Sequence, residues 1–467
     1  MAGQEFDLVV VGTGPGGYVA AIRGAQLGMS VAVIERENLG GICLNWGCIP
    51  TKALLRSAEV YHLAKTSNEY GFKVKDIEID IDAIVKRSRN VANQLNSGVG
   101  HLLQKNKVDV LDGHARLLGE GRIGVEVDGT QVMEVSAKHI ILATGARARD
   151  LPTMEADGKQ IWNYRHALVA DVIPKRLLVV GSGAIGIEFA SFFNTLGSEV
   201  TVVEVLDRVL PVEDEEISAM AHKAFEKQGM RILTDVQVEG LKKTKVDVTA
   251  AIKTVDGKAE SIVVDRVIMA VGIIGNVEDL GLENTKVKVD RSHVEVDRWQ
   301  ATGEPGVYAI GDLAAPPWLA HKASHEGVIC VEKIAEVADV HPLEPMNIPG
   351  CTYCLPQVAS VGLTEVAAKV AGHEVRVGRF PFIGNGKAIA LGDTEGMIKT
   401  VFDKTTGELL GAHMIGPEVT ELIQGYAVAR TMEATEAELL NTVFPHPTLS
   451  EAMHESILDA MDRVIHF

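Results

Sequence analysis

The stretch FDLVVVGTGPGG, residues 6–17, decides the fold class of this chain. An apolar, β-branched run leads into a GxGxxG turn and then a helical pattern, and RLLVVGSGAIG (176–186) repeats that layout. In both copies an acidic residue, Glu35 or Glu204, closes a second β-rich run at the same distance from the first glycine. Strand, turn, helix, strand and acid together are typical of the dinucleotide-binding βαβ unit, so the repeat predicts two nucleotide-binding folds.

The glycines of each fingerprint have three different tasks. The first makes the tight turn, the second lets backbone amides approach a pyrophosphate, and the third lets the helix pack on its strand. The phosphates then lie at a helix N-terminus, and the strand-end acid accepts hydrogen bonds from a ribose diol. In that order the glycines are Gly12, Gly14 and Gly17 in the first copy, and Gly181, Gly183 and Gly186 in the second.

A second motif, GGICLNWGCIPTK (40–52), places Cys43 and Cys48 close together in a chain with only five cysteines. The spacing alone leaves open whether they are metal ligands, a structural staple, buried filler or a redox pair. Zinc is disfavoured because no histidine spacing completes a four-ligand site. The CTYC stretch (351–354) opens no βαβ helix and is interpreted as structural, and Cys330 as buried filler.

Composition excludes several classes of partner. The net charge of -18 disfavours nucleic acid and anionic membranes, because both select basic surfaces. The N-terminus lacks a basic region, and its apolar run is too short for a signal peptide. We therefore expect a soluble protein of a reducing compartment, either the bacterial cytoplasm or, as a weaker alternative, a processed form in the mitochondrial matrix.

The predicted fold class is α/β, with two Rossmann-like domains and a C-terminal α+β domain. Residues 52–105 are predicted to be helical around a polar insert near 66–80, and the acidic VEDEE cluster (212–216) to be a solvated helix start. Two nucleotide folds need two ligands, and FAD with NAD is the simplest pair because a flavin passes electrons between hydride donors and thiols. The predicted domains are 1–146 (FAD binding), 147–276 (NAD binding), 277–346 (central, completing the FAD site) and 347–467 (the α+β domain).

Over essentially its whole length the sequence resembles the flavin-dependent disulfide oxidoreductases. The motifs that carry the resemblance are the two fingerprints, GGICLNWGCIPTK, the ATG turn (143–145), the Tyr308–Asp312 segment and the closing HPTLSE (446–451). Within that family they most resemble the members that oxidise dihydrolipoyl groups with NAD⁺. Their order along the chain agrees with the family's, which makes the match specific.

The resemblance implies a role for each site residue. Cys43 would exchange with the substrate disulfide, Cys48 would lie against the flavin, and Lys52 would stabilise negative charge on both. His446, held by Glu451, would be the base that deprotonates the substrate thiol. It would come from the other subunit of a homodimer, with 347–467 as the dimerisation domain. The remaining implied contacts are with FAD for Ala115, Thr144, Gly145, Asp312 and Ala320, and with the nicotinamide side for Glu188 and Gly272.

The implied activity is oxidation of protein-bound dihydrolipoyl groups, in 2-oxo acid dehydrogenase complexes and in glycine cleavage. One alternative is an NADPH-dependent reductase of glutathione, another disulfide or mercuric ion, but Glu204 ends the second nucleotide strand and no cysteine follows Cys354. Another alternative is a flavin-bearing scaffold without activity, which would have lost a redox residue. Trp46, and the pair Ile273 and Ile274, depart from the family pattern, and their effects on substrate and nicotinamide contacts stay open.

Overall fold

The computed structural model describes residues 4–467. Residues 1–3, the start of the predicted FAD-binding domain, lie outside this range. The chain forms two compact units. The first contains the described residues up to Leu54, with Asp82–Arg149 and Gly272–Leu343, and the second contains Leu55–Ile81, Asp150–Val271 and Glu344–Phe467. No helix in the described range is long and apolar enough to cross a membrane.

The strands of the described chain are, in order, β1 (Gln4–Val11), β2 (Val31–Glu35), β3 (Asp109–Asp112), β4 (His114–Gly119), β5 (Arg122–Val127), β6 (Thr130–Leu142), β7 (Ala146–Ala148), β8 (Ile161–Trp162), β9 (Arg176–Val180), β10 (Glu199–Val203), β11 (Arg231–Leu233), β12 (Val236–Lys243), β13 (Val248–Thr254), β14 (Ala259–Val264), β15 (Arg266–Met269), β16 (Ile273–Gly275), β17 (Val289–Asp290), β18 (His293–Val294), β19 (Val307–Ala309), β20 (Gly350–Thr352), β21 (Gln357–Gly362), β22 (Val375–Pro381), β23 (Met397–Asp403) and β24 (Leu409–Gly416).

The α-helices are α1 (Pro15–Gln26), α2 (Gly41–Trp46), α3 (Cys48–Lys65), α4 (Ile81–Lys105), α5 (Tyr164–Leu168), α6 (Ala184–Thr195), α7 (Glu215–Lys227), α8 (Ala320–Ile334), α9 (Glu365–Val370), α10 (Gly386–Leu391), α11 (Val419–Thr431), α12 (Glu436–Asn441) and α13 (Glu451–Ala460). Helices α3 and α4 flank residues 66–80, so the predicted helical region with its polar insert is confirmed.

The first unit is built on a sheet with the order β3-β2-β1-β6-β5-β4, and β19 also pairs with β6. Strand β1 lies in parallel between β2 and β6. Its side chains alternate between two cores: Leu8 and Val10 pack in a cluster with residues of α1 and α8, whereas Val9 and Val11 pack on the opposite face. A strand buried on both faces explains why this segment is continuously apolar.

The second unit contains a parallel sheet, β11-β10-β9-β15-β8, and an antiparallel sheet, β20-β21-β24-β23-β22. The small antiparallel sheet β12-β13-β14 adds its apolar face to the core of the parallel sheet. Helices α11 and α13 cover the C-terminal antiparallel sheet, and a large apolar cluster fills the space between them. The predicted α/β fold with two Rossmann-like parts and a C-terminal α+β part is confirmed.

The acidic cluster 212–216 begins a helix, as predicted, but the prediction that it is solvated is wrong. Asp214 caps α7 by accepting the Glu216 N–H at 3.0 Å. Its side chain is only 2% exposed and lies 3.0 Å from the ammonium of Lys399, which is also 2% exposed. Lys399 projects from β23 and also contacts Glu216 and Glu365, at 3.0 and 2.9 Å. The ammonium of Lys399, which is distant in sequence, therefore compensates the charge of Asp214 and allows this helix start to be buried.

Replacing Lys399 with methionine should lower the melting temperature by several degrees. The substitution leaves the Asp214 carboxylate buried without its cation, and breaking a buried pair in this way costs about 3–5 kcal/mol. Lys369→Met is the matched control, because it removes an exposed ammonium that pairs with Glu365 at 2.6 Å, worth roughly 0.5 kcal/mol or less. Calorimetry of the two variants compares them, and equal melting temperatures would contradict the buried pair.

Candidate active site

The two cysteines of the GGICLNWGCIPTK stretch lie at the junction of two helices in the first unit. Cys43 is in α2, and Cys48 is the first residue of α3. Their thiols are joined by a hydrogen bond. A thiolate at the start of a helix is stabilised by the free N–H groups and by the partial positive charge of the helix N-terminus. The geometry therefore favours negative charge on Cys48.

The proton is held more tightly on Cys43. Its pKa is raised, first by the hydrogen bond to Cys48 and then by burial. The ammonium of Lys52 opposes this shift, whereas the carboxylate of Asp312 adds to it. In the reduced pair Cys43 is therefore the thiol that keeps its proton and donates it in the hydrogen bond to Cys48.

The first glycine fingerprint has the shape that a pyrophosphate requires. Gly12 turns with φ +96°, and a Cβ there would lie 2.5 Å from the Ala143 carbonyl oxygen. A Cβ on Gly17 would stand 2.0 Å from the carbonyl oxygen of Gly12. Gly14, at the N-terminus of α1, has no atom within 4 Å of its Cβ position. The helix start is thus open on the side where the backbone amides can receive phosphate.

The second fingerprint reproduces this geometry position by position. Gly181 turns with φ +99° against the Ala270 carbonyl oxygen at 2.3 Å, and Gly186 packs on the Gly181 carbonyl oxygen at 2.0 Å. Gly183 caps α6 and again has nothing within 4 Å of its Cβ position. Both cradles therefore fit the dinucleotides predicted for them.

Each strand-end acid is fixed by a hydroxyl that sequence reasoning missed. One carboxylate oxygen of Glu35 accepts the Thr13 N–H at 2.9 Å and the Thr13 hydroxyl at 2.6 Å. One oxygen of Glu204 accepts the Ser182 N–H at 2.8 Å and the Ser182 hydroxyl at 2.7 Å. The second oxygen of Glu204 accepts only the Leu206 N–H at 3.0 Å, which leaves an acceptor position for a ribose hydroxyl. The sequence did contain a signal for these contacts, since a hydroxyl residue follows the first glycine in both copies.

Asp312 is the predicted partner of the ribitol hydroxyls, and its surroundings test whether the first unit can hold a flavin. Burial raises the pKa of its carboxyl group, and Lys322 partly opposes the shift. No hydrogen bond to this carboxylate is found among the described residues, and the side chain is only partly buried. Its oxygens are therefore available to accept hydrogen bonds from hydroxyls such as those of a ribitol chain. Beside it Lys322 and Glu326 form a buried pair at 2.9 Å, and Glu326 accepts the Gly311 N–H at 2.8 Å. This pair, which sequence reasoning also missed, fixes the loop that carries Asp312.

The other predicted flavin contacts lie in the same unit. Thr144 donates its hydroxyl to the Asn276 carbonyl at 2.9 Å, and the Asn276 N–H donates to the Gly145 carbonyl at 2.9 Å. Ala115 is buried in β4, and Ala320 is the first residue of α8. The ATG turn is therefore held in place by Asn276.

Helix α2, which carries Cys43, is packed directly on the first fingerprint. A Cβ on Gly41, the first residue of α2, would stand 2.7 Å from the Cα of Gly14. The neighbouring Gly40 donates its N–H to the Thr13 carbonyl at 3.0 Å. The start of α2, two residues before Cys43, is thus positioned by the same turn that prepares the phosphate site.

Two residues predicted for the nicotinamide side have structural contacts. Glu188 is buried in α6 and accepts the Tyr353 N–H at 3.0 Å within the second unit. Gly272, with φ +101°, accepts the Arg149 N–H at 3.0 Å. Their predicted roles toward the nucleotide stay predictions.

His446 and Glu451 form a pair in the second unit. The Nδ1 of His446 lies 2.9 Å from one oxygen of Glu451, whose other oxygen accepts the Thr448 N–H at 2.9 Å. Burial works to raise the pKa of Glu451, but the hydrogen bonds from Thr448 and His446 outweigh it, so the pKa is lowered. The carboxylate stays charged and orients the ring, while the imidazole is 78% exposed and presents its Nε2 outward.

Comparison with known proteins agrees with this geometry. Residues 6–327 match the family described as pyridine nucleotide-disulphide oxidoreductase, and residues 348–457 match its dimerisation domain. The chain belongs to this family. Members of the family named dihydrolipoyl dehydrogenase bind FAD and NAD, and the two cradles above fit those cofactors.

Two relatives and one solved structure illustrate the likeness. The chain is 55% identical to the dihydrolipoyl dehydrogenase of Rhizobium etli, with 99% of each chain covered. It is 56% identical to that of Zymomonas mobilis, covering 99% of this chain and 100% of the relative. The crystal structure of LpdA from Mycobacterium tuberculosis superposes with a TM-score of 0.90 at 28% identity, over 97% of this chain and 99% of that one.

The remaining cysteines of this oxidoreductase lie elsewhere. Cys330 is fully buried in the core of the first unit, as expected of filler. Cys351 and Cys354 belong to β20 and the turn after it, in the second unit. Among residues 4–467 no group of three or more His, Cys, Asp or Glu side chains is arranged to hold a metal ion.

Replacing Gly183 with alanine should raise the KM for NAD⁺ while the bound flavin and the melting temperature stay unchanged. The new methyl group meets no protein atom, and φ of -67° suits alanine. It would occupy the space reserved for phosphate, and overpacking of this kind costs about 1–3 kcal/mol, or roughly 10- to 100-fold in affinity. Steady-state kinetics measures the effect.

Gly186→Ala is the contrasting variant, because its methyl group would clash with the Gly181 carbonyl oxygen and should also destabilise the fold. An unchanged KM in Gly183→Ala would mean that no phosphate approaches this helix.

Proposed function

We propose that the protein is a dihydrolipoyl dehydrogenase that oxidises protein-bound dihydrolipoyl groups with NAD⁺. The observation that carries the proposal is the hydrogen-bonded Cys43–Cys48 pair at the start of α3, in a chain with two dinucleotide cradles. In the net reaction the dihydrolipoyl dithiol loses two electrons and two protons and becomes a disulfide. NAD⁺ takes up a hydride, and the second proton is released.

The first step is exchange between the substrate dithiol and the enzyme disulfide. One substrate sulfur, as a thiolate, attacks Cys43, and the Cys43–Cys48 bond breaks with Cys48 leaving as a thiolate. The second substrate sulfur then displaces Cys43, so that the lipoyl disulfide forms and both cysteines are reduced. His446 accepts the proton of the attacking thiol, since Glu451 holds its Nδ1 and leaves Nε2 as the acceptor.

The second step needs a stable Cys48 thiolate. The N-terminus of α3 and the ammonium of Lys52 favour that charge, and the hydrogen bond from Cys43 distributes it. FAD, when bound, supplies the redox group that accepts the electron pair from the thiols and passes it to NAD⁺. We propose that Asp312, Thr144 and the first fingerprint hold it, with Ala115, Gly145 and Ala320 along its length.

The second fingerprint favours NAD over NADP. Glu204 keeps an acceptor position for a 2′-hydroxyl, but its charge repels a 2′-phosphate. An arginine near the strand end is what accommodates a 2′-phosphate in NADP enzymes, and Arg208 is the arginine close by. Its Nε and Nη2 lie 2.9 Å from Asp207, and its Nη1 lies 2.9 Å from Glu215. Two carboxylates thus neutralise this cation, and the glutathione reductase-like alternative is disfavoured.

The finer assignments are part of the same proposal. We propose that Glu188 and Gly272 border the nicotinamide, and that the functional domains are 1–146, 147–276, 277–346 and 347–467. The match to a dimerisation domain supports a homodimer. The partners would be the lipoyl-bearing proteins of 2-oxo acid dehydrogenase complexes and of glycine cleavage. The bacterial relatives favour the cytoplasm as its location.

The direct assay compares two reactions of the purified protein. NADH should form from dihydrolipoamide and NAD⁺, whereas NADPH should not be consumed with glutathione disulfide. NAD⁺ should be preferred over NADP⁺ by about 100-fold or more in kcat/KM, because an unpaired like-charge contact costs on the order of a few kcal/mol. Cys43→Ser and Cys48→Ser should each abolish turnover. Wild-type rates in both serine variants, or equal kinetics with the two coenzymes, would refute the proposal.

The origin of the base can be tested in mixed dimers. A Cys48→Ser chain and a His446→Gln chain should each be inactive as homodimers. If His446 serves the partner subunit, the mixed dimer has one site with both defects and one intact site, and should show about half the wild-type activity per dimer. Differently tagged chains, co-expressed and purified through both tags, provide the sample. If His446 serves its own chain, both sites are defective and mixing restores nothing.

A further inference from the structure

Helix α4 runs along the redox segment, which we define as residues 39–53, and donates side-chain hydrogen bonds to its backbone carbonyls. The donor and acceptor pairs are Arg87 to Ala53 at 2.9 Å, Ser88 to Pro50 at 3.0 Å, Arg89 to Asn45 at 2.7 Å and Asn96 to Leu39 at 2.9 Å. All lie within the first unit. Of these four donors, Arg89 alone binds a carbonyl between the two cysteines.

Arg89 holds the stretch between the cysteines through two contacts. Its Nη1 donates to the Asn45 carbonyl, and its guanidinium carbon lies 4.7 Å from the centre of the Trp46 ring. Asn45 is itself buried and donates to the Leu39 and Gly41 carbonyls, at 2.8 Å each. The stretch that joins Cys43 to Cys48, which is the end of α2 and Gly47, is therefore held at Asn45 by hydrogen bonds of both its backbone and its side chain.

Arg89 is partly buried, and two of its three guanidinium nitrogens have no hydrogen-bond partner in the described part of the chain. Its Nε and Nη2 are buried and have no hydrogen-bond acceptor among the described residues. Burial lowers the pKa of its guanidinium, and no carboxylate offsets this. A cation in this position costs stability, so its contacts with Asn45 and Trp46 require an explanation other than stability.

We propose that Arg89, stacked on Trp46, is a positioning residue that keeps the Cys43 and Cys48 sulfurs adjacent when the pair is reduced, and thereby sets the dithiol–disulfide equilibrium of the enzyme. The proposal rests on the redox function of the pair proposed above. It assigns a role to Trp46, which interrupts the cysteine motif with a large side chain. The planar guanidinium can stack on the ring and donate to Asn45 at the same time, which an ammonium cannot do.

The direction of the effect follows from chain entropy. A disulfide forms more readily when its two thiols are already held together, because little conformational freedom is lost. We call the contacts of Arg89 with Asn45 and Trp46 the clamp. If the clamp is removed, the backbone between the two cysteines gains freedom in the dithiol form, whereas the disulfide form remains constrained by its bond. Freeing about one residue changes the equilibrium on the order of tenfold toward the dithiol. The reduction potential then becomes about 30 mV less negative.

Electrostatics would act in the opposite direction. Removing a cation near a thiolate disfavours the reduced pair and makes the potential more negative. Among the largest influences on the pKa of Cys43, the charges are those of Cys48, Lys52 and Asp312, and Arg89 is not among them. We therefore expect the loss of positioning to dominate, and the sign of the shift separates the two effects.

The test measures the dithiol–disulfide equilibrium of the holoenzyme in Arg89→Met. Protein is equilibrated anaerobically in buffers of reduced and oxidised dithiothreitol and quenched in acid. The thiols of Cys43 and Cys48 are then alkylated and counted by mass spectrometry. We expect about a tenfold shift toward the dithiol. A shift of less than twofold, or a shift toward the disulfide, overturns the proposal.

Arg87→Met is the matched control, because Arg87 also donates from α4 but binds the Ala53 carbonyl, beyond the second cysteine. It should leave the equilibrium within twofold of the wild type, and an equal shift in both variants would mean that the effect is general loosening of α4. Arg89→Lys keeps the charge without the planar fork and should shift in the same direction as Arg89→Met. A wild-type equilibrium in Arg89→Lys would assign the effect to charge and refute the clamp.

If Arg89→Met does not fold, Arg89→Lys and Trp46→Leu carry the same test, with Trp46→Leu expected to shift toward the dithiol. The readout needs no turnover, so it is independent of the dehydrogenase assay. If the wild-type pair forms no disulfide in any buffer, the proposed function itself fails. If the wild-type pair does form the disulfide and the Arg89 variants have the same dithiol–disulfide equilibrium, only the proposed clamp is refuted.

Discussion

The contact between the first and third glycines of the N-terminal fingerprint governs the geometry of the redox site. The Gly12 carbonyl stands where any side chain on residue 17 would be, so the turn and the start of α1 can form only with glycine at both positions. That turn leaves Gly14 open toward phosphate and also receives Gly41, the first residue of α2. The cofactor cradle and the cysteine helix therefore share one backbone surface. A change in the turn would move both.

The proposed chemistry depends on how two partly buried thiols share one proton. The start of α3 and Lys52 favour a thiolate at Cys48, while the hydrogen bond and burial keep the proton on Cys43. Such a pair is suited to exchange, since one sulfur leaves easily and the other attacks or is attacked. The proposed acid–base group is separate from the thiols: it is an exposed imidazole that Glu451 orients in the second unit. Redox and proton transfer are thus assigned to different parts of the chain.

Much of this was accessible from the sequence because it depends on short-range patterns. The fingerprints, the cysteine motif and the His446–Glu451 spacing each lie within a short stretch of sequence, and even Thr13 and Ser182 could have been found by comparing the two copies. Contacts between distant segments were not accessible. The burial of Asp214 depends on Lys399 in a strand far along the chain. The hydrogen bond from Arg89 to Asn45 depends on how α4 docks against the redox segment.

The central claim is that the Cys43–Cys48 pair, and no other cysteine of the chain, carries electrons from substrate to NAD⁺. The most direct measurement mixes oxidised holoenzyme anaerobically with one equivalent of dihydrolipoamide, quenches in acid and maps alkylated cysteines by mass spectrometry. The account predicts that Cys43 and Cys48 become labelled, that labelling of Cys330, Cys351 and Cys354 does not change, and that NAD⁺ added before the quench reverses the labelling. Unchanged labelling of Cys43 and Cys48, or new labelling at Cys351 and Cys354 instead, would contradict it.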